Sequence, residues 1–213
     1  IFFPTLFLHQ RFVLFGGKLM GNWAAICLKI FLSSNIIIKG KENIIKENKF
    51  FIASSHQSMF ETFYLQTIFD SPVFILKKEL LSIPVFGWYL KKIGSISIKR
   101  NKVTKENLDF FENIIQSIKN SDRPIIIFPQ ATRVLPTDRT PFKKGAGRIY
   151  EELKIHCQPV AINSGFVWPK NGPKTSKRNI TISILKPIKP GLSKEDFNKT
   201  IEKTIYTELD SIC

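Results

Sequence analysis

The stretch that decides the fold runs from residue 49 to residue 69, KFFIAS followed by SHQSMFETFYLQTIF. Its first part, 49–54, is apolar along most of its length, which is typical of a strand buried on both faces. Its second part, 58–69, has the pattern of a helix. A buried strand that feeds directly into a helix is the repeating unit of an α/β fold, so this stretch predicts a sheet covered by helices.

The same alternation continues along the chain. Further apolar segments predict strands at 35–39, 72–76, 95–98, 124–128, 159–163 and 179–185, with helices at 80–92 (broken by Pro84), 104–120, 147–153 and from Ser193 onward. Ser193 and Asp196 have the spacing of a capping box at the start of the last helix. The pattern predicts an α/β domain with a mixed, mostly parallel sheet flanked by helices on both faces.

The N-terminal segment, residues 1–38, is apolar, and its only charged residues are Arg11, Lys18 and Lys29. No window of 18 residues in it is free of charge, so it is not a clean transmembrane span. We expect two short helices, 2–15 and 19–32, that lie in the membrane interface with basic residues toward lipid headgroups. A helical hairpin packed on the rest of the chain is the alternative. We therefore divide the chain into a membrane-associated helical segment, 1–38, and a larger domain, 39–213.

Charge and cysteine content narrow the class of protein. The formal net charge is +15, with eight basic residues and one acid within 76–105 and six basic residues and no acid within 165–190. Such an excess attracts nucleic acid, anionic lipid or a phosphorylated substrate, although scattered lysines also serve as an ordinary solvated surface. Three widely spaced cysteines show no metal-ligand spacing and no disulfide framework, which indicates a reducing compartment and no metal site.

The residues that could carry chemistry follow the 49–54 strand. His56 lies at its end, and Glu61 comes five positions later, across a strand-to-helix turn. There a carboxylate can hold one imidazole nitrogen while the other accepts a proton. This arrangement suits a general base acting on a substrate hydroxyl. A lone His near an acid is also often structural, so the pair alone does not identify an enzyme.

Three further segments strengthen this interpretation. They are 94–100 (GSISIKR), 128–133 (FPQATR) and 158–163 (QPVAIN). Together with 54–61 (SSHQSMFE), and in this order, they resemble the four sequence blocks of the glycerolipid acyltransferase family, specifically the 1-acylglycerol-3-phosphate acyltransferases. The segments 76–80 (LKKEL) and 83–90 (IPVFGWYL) are similar to bacterial members. The resemblance covers about residues 50–190.

The resemblance implies an O-acyltransferase of phospholipid biosynthesis, with 39–213 as its catalytic domain. His56 would deprotonate the sn-2 hydroxyl of lysophosphatidate, and Glu61 would orient the imidazole. The acyl donor would be a thioester of coenzyme A or acyl carrier protein, and no cofactor or metal would be needed. The acceptor would be bound by Arg100, Arg133, Thr132, Gln130 and Lys77. The expected location is the cytoplasmic face of the inner (plasma) membrane, on an anionic membrane surface.

Several residues depart from the family's pattern. Glu61 stands where Asp is usual, and Gln130 stands where Glu is usual. Ala131 replaces a Gly, which matters only if that position needs a positive φ. The remaining departures are Ser55, Ser97 and Lys99. None removes the His, its carboxylate or either Arg.

Two alternatives stay open from the sequence. One keeps the fold and changes the acceptor to another lysophospholipid or an ornithine-type lipid. The other is a non-enzymatic, basic module that binds membrane or nucleic acid. For the second, no RNA-binding aromatic signature, helix-turn-helix signal or zinc-ligand pattern is present, so we expect no nucleic acid partner.

Overall fold

The computed structural model describes residues 3–47, 49–98, 115–116 and 118–213. Seven strands form one sheet in the order β1-β7-β6-β2-β5-β3-β4. Their bounds are Ile36–Lys39 (β1), Phe51–Ser54 (β2), Val73–Lys77 (β3), Ile96–Ile98 (β4), Ile125–Ile127 (β5), Cys157–Ile162 (β6) and Ile180–Ile184 (β7). All pairings of these strands are parallel except β6 with β7. The predicted mixed, mostly parallel sheet is confirmed.

Five α-helices lie wholly within the described residues. They are Gln10–Leu32 (α1), Phe60–Ile68 (α2), Phe86–Lys92 (α3), Gly145–Leu153 (α4) and Lys194–Ile212 (α5), with short 3-10 helices at Phe3–Phe7, Lys41–Asn43, Lys78–Ser82 and Ser164–Phe166. The predicted cap of the last helix is present, since the Ser193 hydroxyl accepts the Asp196 N–H at 3.1 Å. Most of the predicted helix 104–120 lies outside the described residues.

Successive residues of a central strand belong to two separate hydrophobic cores, one on each face of the sheet. Phe51 and Ala53 of β2 pack on one face of the sheet with α4 and α5, whereas Ile52 packs on the other face with α1, α2 and α3. The alternation follows from the period of two in a strand. Because both faces of the central strands are covered, those strands are apolar throughout, as the sequence indicated. The prediction of helices on both faces is confirmed.

The N-terminal segment differs from the prediction. Residues 2–15 and 19–32 do not form two helices, because α1 is continuous from Gln10 to Leu32. Helix α1 runs through Gly16 and Gly17 without a break, and Gly17 and Gly21 face α2 at close range. A Cβ added at Gly21 would lie 2.4 Å from the Phe63 carbonyl oxygen. Tertiary packing therefore uses these glycines for close approach between helices rather than for a turn.

Helix α1 is long and apolar enough to cross a membrane, by length and composition. Only 17% of the most apolar 18-residue stretch of α1 is buried in the protein. The predicted boundary at residue 38 falls inside β1, which is the edge strand of the sheet and pairs with β7. The segment 1–38 thus supplies both an exposed apolar helix and most of one strand.

Candidate active site

His56 lies just beyond β2, at the edge of the sheet where parallel strands end. The neighbouring strands β5 and β3 end at the same edge, so they bring Phe128 and Lys77 to the same region. The Phe128 ring stacks on the imidazole with 4.0 Å between ring centroids and an angle of 17°. The stack restrains the imidazole plane, and the His56 side chain keeps 16% of its surface exposed.

Glu61, in the first turn of α2, is fully buried. Its carboxylate accepts backbone N–H groups from Gln57 (3.1 Å) and Ser58 (3.0 and 2.9 Å), together with the hydroxyl of Ser164. Donors to the ionised form stabilise a buried charge, and the start of a helix favours an anion. The sequence around Glu61 therefore folds into a cradle for one carboxylate.

The two side chains meet as the sequence predicted. Glu61 Oε2 lies 3.5 Å from His56 Nδ1, and Nδ1 is buried with no hydrogen bond among the described residues. At this distance the contact is an ion-pair approach rather than a formed hydrogen bond, a spacing common before a substrate binds. With Nδ1 turned to Glu61, Nε2 is the nitrogen available to a substrate.

A large cleft lies in front of this pair. Its volume is about 1280 Å³. An apolar wall of the cleft is formed by helices α1, α2 and α3. Its residues include Val13, Met20, Phe63, Phe86 and Leu90. The cleft has the size and the mainly apolar lining of a site for a small-molecule or lipid ligand.

Basic and polar residues also line the cleft. The predicted residues Arg133, Thr132, Gln130 and Lys77 all line it together with His56. Arg133 is half-buried and has no hydrogen bond or ion pair with the described part of the chain. Arg100, which was predicted to join them, lies outside the described residues. The structure thus brings His56 and the described residues predicted to bind the acceptor to one cleft, and the buried Glu61 lies beside His56.

Gln130 has a position that the sequence could not specify. It is buried, and its Oε1 accepts the backbone N–H of His56 at 2.6 Å while its Nε2 donates to the Tyr206 hydroxyl at 3.4 Å. The Tyr206 hydroxyl in turn donates to the Thr140 carbonyl, and burial raises the pKa of Tyr206. Because both polar ends of Gln130 bond the protein, its predicted contact with substrate stays a prediction, whereas its contact with the His56 backbone is observed.

Sequence reasoning missed several features of the site. The hydrogen bond from the Ser164 hydroxyl to Glu61 is one. The presence of Lys143 and Lys170 in the lining of the cleft is another. Lys170 donates to the Thr132 hydroxyl at 3.5 Å. Only the sequence position of Ser164, directly after the QPVAIN segment, could have indicated it. The contribution of α1 to the cleft wall had no local signal, since it depends on how α1 packs.

Ala131, which stands where Gly is usual in the family, adopts a backbone conformation that favours glycine. Its φ is +62°, in the left-handed region, and its N–H donates to the Phe128 carbonyl at 2.8 Å in a tight turn. A glycine adopts this conformation without the steric cost of a Cβ. The turn that presents Thr132 and Arg133 is therefore strained in this chain.

The sequence of this chain is similar to those of known proteins. A family model described as acyltransferase matches residues 35–163. The chain is 30% identical over 210 residues to a 1-acyl-sn-glycerol-3-phosphate acyltransferase of Saccharomyces cerevisiae, a match that covers 93% of the chain and 68% of that protein. It is also 30% identical over 154 residues to a protein of the same name from Pseudomonas aeruginosa, covering 71% of the chain and 59% of that protein.

A solved structure has the same fold. The crystal structure of the 1-acyl-sn-glycerophosphate (LPA) acyltransferase PlsC from Thermotoga maritima matches with a TM-score of 0.77 and 24% sequence identity. The match covers 95% of this chain and 80% of that chain. The comparison shows that the two proteins share a fold.

Proposed function

Since this chain belongs to the acyltransferase family, as its four sequence blocks predicted, we propose that it moves a fatty acyl group from an acyl thioester to the sn-2 hydroxyl of lysophosphatidate. The product is phosphatidate, and the donor is a thioester of coenzyme A or acyl carrier protein. The observation that carries the proposal is the buried Glu61 held 3.5 Å from His56, beside a cleft that is lined by many apolar residues and by Lys77 and Arg133.

The reaction needs only groups that the site supplies. His56 Nε2 accepts the proton of the sn-2 hydroxyl as its oxygen attacks the thioester carbonyl carbon. The tetrahedral intermediate then collapses, the C–S bond breaks, and the imidazolium returns its proton to the departing thiolate. Glu61 holds Nδ1–H and stabilises the imidazolium. General-base assistance of this kind supplies about 10²- to 10⁴-fold in rate. The transfer is direct, and we propose that it requires no cofactor.

The basic part of the cleft suits the phosphate of the acceptor. A guanidinium binds phosphate through two parallel hydrogen bonds. The half-buried Arg133, next to Thr132 in the cleft lining, supplies such a guanidinium. Lys77, at the end of β3, is a second candidate for the phosphate or the developing oxyanion. The resemblance assigns the same role to Arg100. The apolar wall suits the fatty acyl chains.

The exposed face of α1 supports the proposal that the protein binds a membrane surface. Large apolar side chains stand in solvent along it, namely Phe12, Phe15, Trp23, Ile26, Ile30 and Phe31. A contiguous patch of this kind on a soluble surface marks an interaction site. With the net charge of +15, an anionic bilayer is the partner that satisfies both features. We propose that the protein docks on the cytoplasmic face of the inner membrane.

An acyl-transfer assay on the full chain with anionic vesicles tests the proposal. The donors are an acyl-CoA and an acyl-ACP, and the acceptors are lysophosphatidate, lysophosphatidylcholine and a monoacylglycerol. We expect transfer to lysophosphatidate to exceed transfer to monoacylglycerol, which has no phosphate. Preferred acylation of lysophosphatidylcholine would identify the other lysophospholipid acceptor, and the absence of transfer to every acceptor would favour the non-enzymatic module.

A matched pair of variants tests the phosphate site. Arg133→Ala should raise the KM for lysophosphatidate, and Arg148→Ala should leave it unchanged because Arg148 is exposed on α4 and does not line the cleft. Equal effects of the two changes would remove the assigned role of Arg133.

A further inference from the structure

Ser164 lies behind the Glu61 carboxylate, on the side away from His56. It is the first residue of the 3-10 helix that follows β6, and it is fully buried. Its hydroxyl donates a short hydrogen bond to Glu61 Oε1, whereas Glu61 Oε2 is the oxygen that faces His56. One carboxylate oxygen therefore contacts a loop far along the chain, and the other contacts the imidazole.

We infer that Ser164 is a positioning residue that aims Glu61 at His56 during acyl transfer; this inference rests on the proposed function. The backbone N–H of Gln57 contacts only Oε1 of Glu61, and that of Ser58 contacts both oxygens. The Ser164 hydroxyl is the one side-chain hydrogen-bond donor to the carboxylate among the described residues. Without it, Oε1 keeps only donors from its own turn, and rotation of the carboxylate would move Oε2 away from Nδ1.

The end of β6 and the loop after it are joined to the His56 turn at two further points. The Gly165 N–H donates to Gln57 Oε1 at 3.1 Å. The Ser55 hydroxyl accepts the Ile162 N–H at 2.8 Å and donates to the Ile162 carbonyl at 3.2 Å. These bonds hold the end of β6 against the turn that carries the catalytic pair. Ser164 is thus fixed with respect to Glu61 before any substrate binds.

Burial excludes a direct chemical role for Ser164. Its side chain has no exposed surface, it does not line the cleft, and its hydroxyl hydrogen is directed at Glu61. It therefore cannot attack a thioester in the cleft. Its effect on the reaction passes through the carboxylate.

The test compares Ser164→Ala with Ser183→Ala. Ser183, in β7, is also buried, but its hydroxyl has no hydrogen-bond partner within the described residues. We expect Ser164→Ala to lower kcat by about 10- to 100-fold, the loss that follows removal of one hydrogen bond to a charged group. The KM values for both substrates should stay within about twofold, because no cleft-lining group changes. Ser183→Ala should keep the parent kcat.

Two further variants separate hydrogen bonding from packing. Ser164→Cys fills the same space with a weak donor, so its kcat should also be low. A kcat restored to the parent value in Ser164→Cys would show that packing alone matters, and it would overturn the inference. In a Glu61→Gln background, Ser164→Ala should lower kcat by less than about threefold, because coupled residues do not act additively.

The outcomes distinguish this inference from the proposed function. If the parent acylates lysophosphatidate and Ser164→Ala keeps its kcat within about twofold, the inference fails while the proposed function stands. If the parent transfers no acyl group to any acceptor, both fail. If Ser164→Ala does not fold, Ser164→Cys carries the same comparison.

Discussion

The most informative single change is Glu61→Gln, because the hydrogen bonds around the carboxylate determine how an amide would sit. Among the described residues, Oε1 accepts three donors, from Gln57, Ser58 and Ser164, while Oε2 accepts only the Ser58 N–H and faces His56. An amide has one acceptor oxygen, so that oxygen takes the place of Oε1. The amide NH₂ group then takes the place of Oε2 and points at His56 Nδ1.

That orientation places the imidazole in the wrong tautomer. An NH₂ group donates to Nδ1, so Nδ1 must accept and the ring proton moves to Nε2. A protonated Nε2 cannot accept the proton of the substrate hydroxyl. The general-base contribution of about 10²- to 10⁴-fold is lost, which equals about 2.7 to 5.4 kcal/mol in the activation free energy. The NH₂ group also opposes the Ser58 N–H, which lowers the free energy of unfolding by about 1–3 kcal/mol.

The assay is steady-state acyl transfer to lysophosphatidate on vesicles, with circular dichroism and thermal unfolding on the same preparations. Glu61→Asp is the matched control, because it keeps the charge and is the residue usual in the family. We expect Glu61→Asp to retain at least about tenfold more activity than Glu61→Gln. A folded Glu61→Gln protein with kcat within about threefold of the parent would refute the role of the carboxylate in selecting the tautomer.

Three other predictions follow from particular contacts. Ala131→Gly should raise the free energy of unfolding by up to about 1 kcal/mol in a denaturant titration, because it relieves a φ of +62°; a destabilised variant would contradict this. Gly21→Ala should lower the free energy of unfolding by about 1–3 kcal/mol, since its Cβ would lie 2.4 Å from a carbonyl oxygen of α2. The matched change Gly145→Ala should be neutral, because its Cβ would meet no described residue within 4 Å. Equal effects of the two changes would count against the close packing of α1. Anionic vesicles should protect Cys27, exposed on α1, from a water-soluble maleimide but leave Cys213 reactive. Labelling should be done at alkaline pH, because partial burial raises the pKa of the Cys213 thiol; equal labelling of Cys27 with and without vesicles would contradict docking through α1.

The sheet could be predicted because its strands are continuously apolar. Phe51, Ile52 and Ile125 are buried whichever face they point to, so a run of such residues has few other places in a folded chain. The order of the strands had no comparable signal, because it depends on which strands pair across the whole chain. The single helix α1 was missed for a related reason. Its Gly16-Gly17 pair is a helix breaker in isolation, and only its packing on α2 reveals that glycine is needed there.

The candidate site could be predicted where a residue's chemistry and its position after a strand coincided. Lys77 ends a strand, and His56 and Arg133 follow strands or their connecting turns; parallel strands bring such positions to one edge. Ser164 and the polar contacts of Gln130 could not be predicted, because each depends on a partner more than 70 residues away. A serine or glutamine is common on any surface, so its type alone indicates no role.

The most direct measurement is kcat for acyl transfer by His56→Ala beside His156→Ala, with lysophosphatidate and an acyl thioester on vesicles. His156 contacts Glu47 at 3.5 Å on the surface and does not line the cleft. We expect kcat to fall by at least about 10²-fold in His56→Ala, with unchanged vesicle binding and thermal stability, and to stay at the parent value in His156→Ala. A folded His56→Ala protein that transfers acyl groups at the parent rate would contradict His56 as the base.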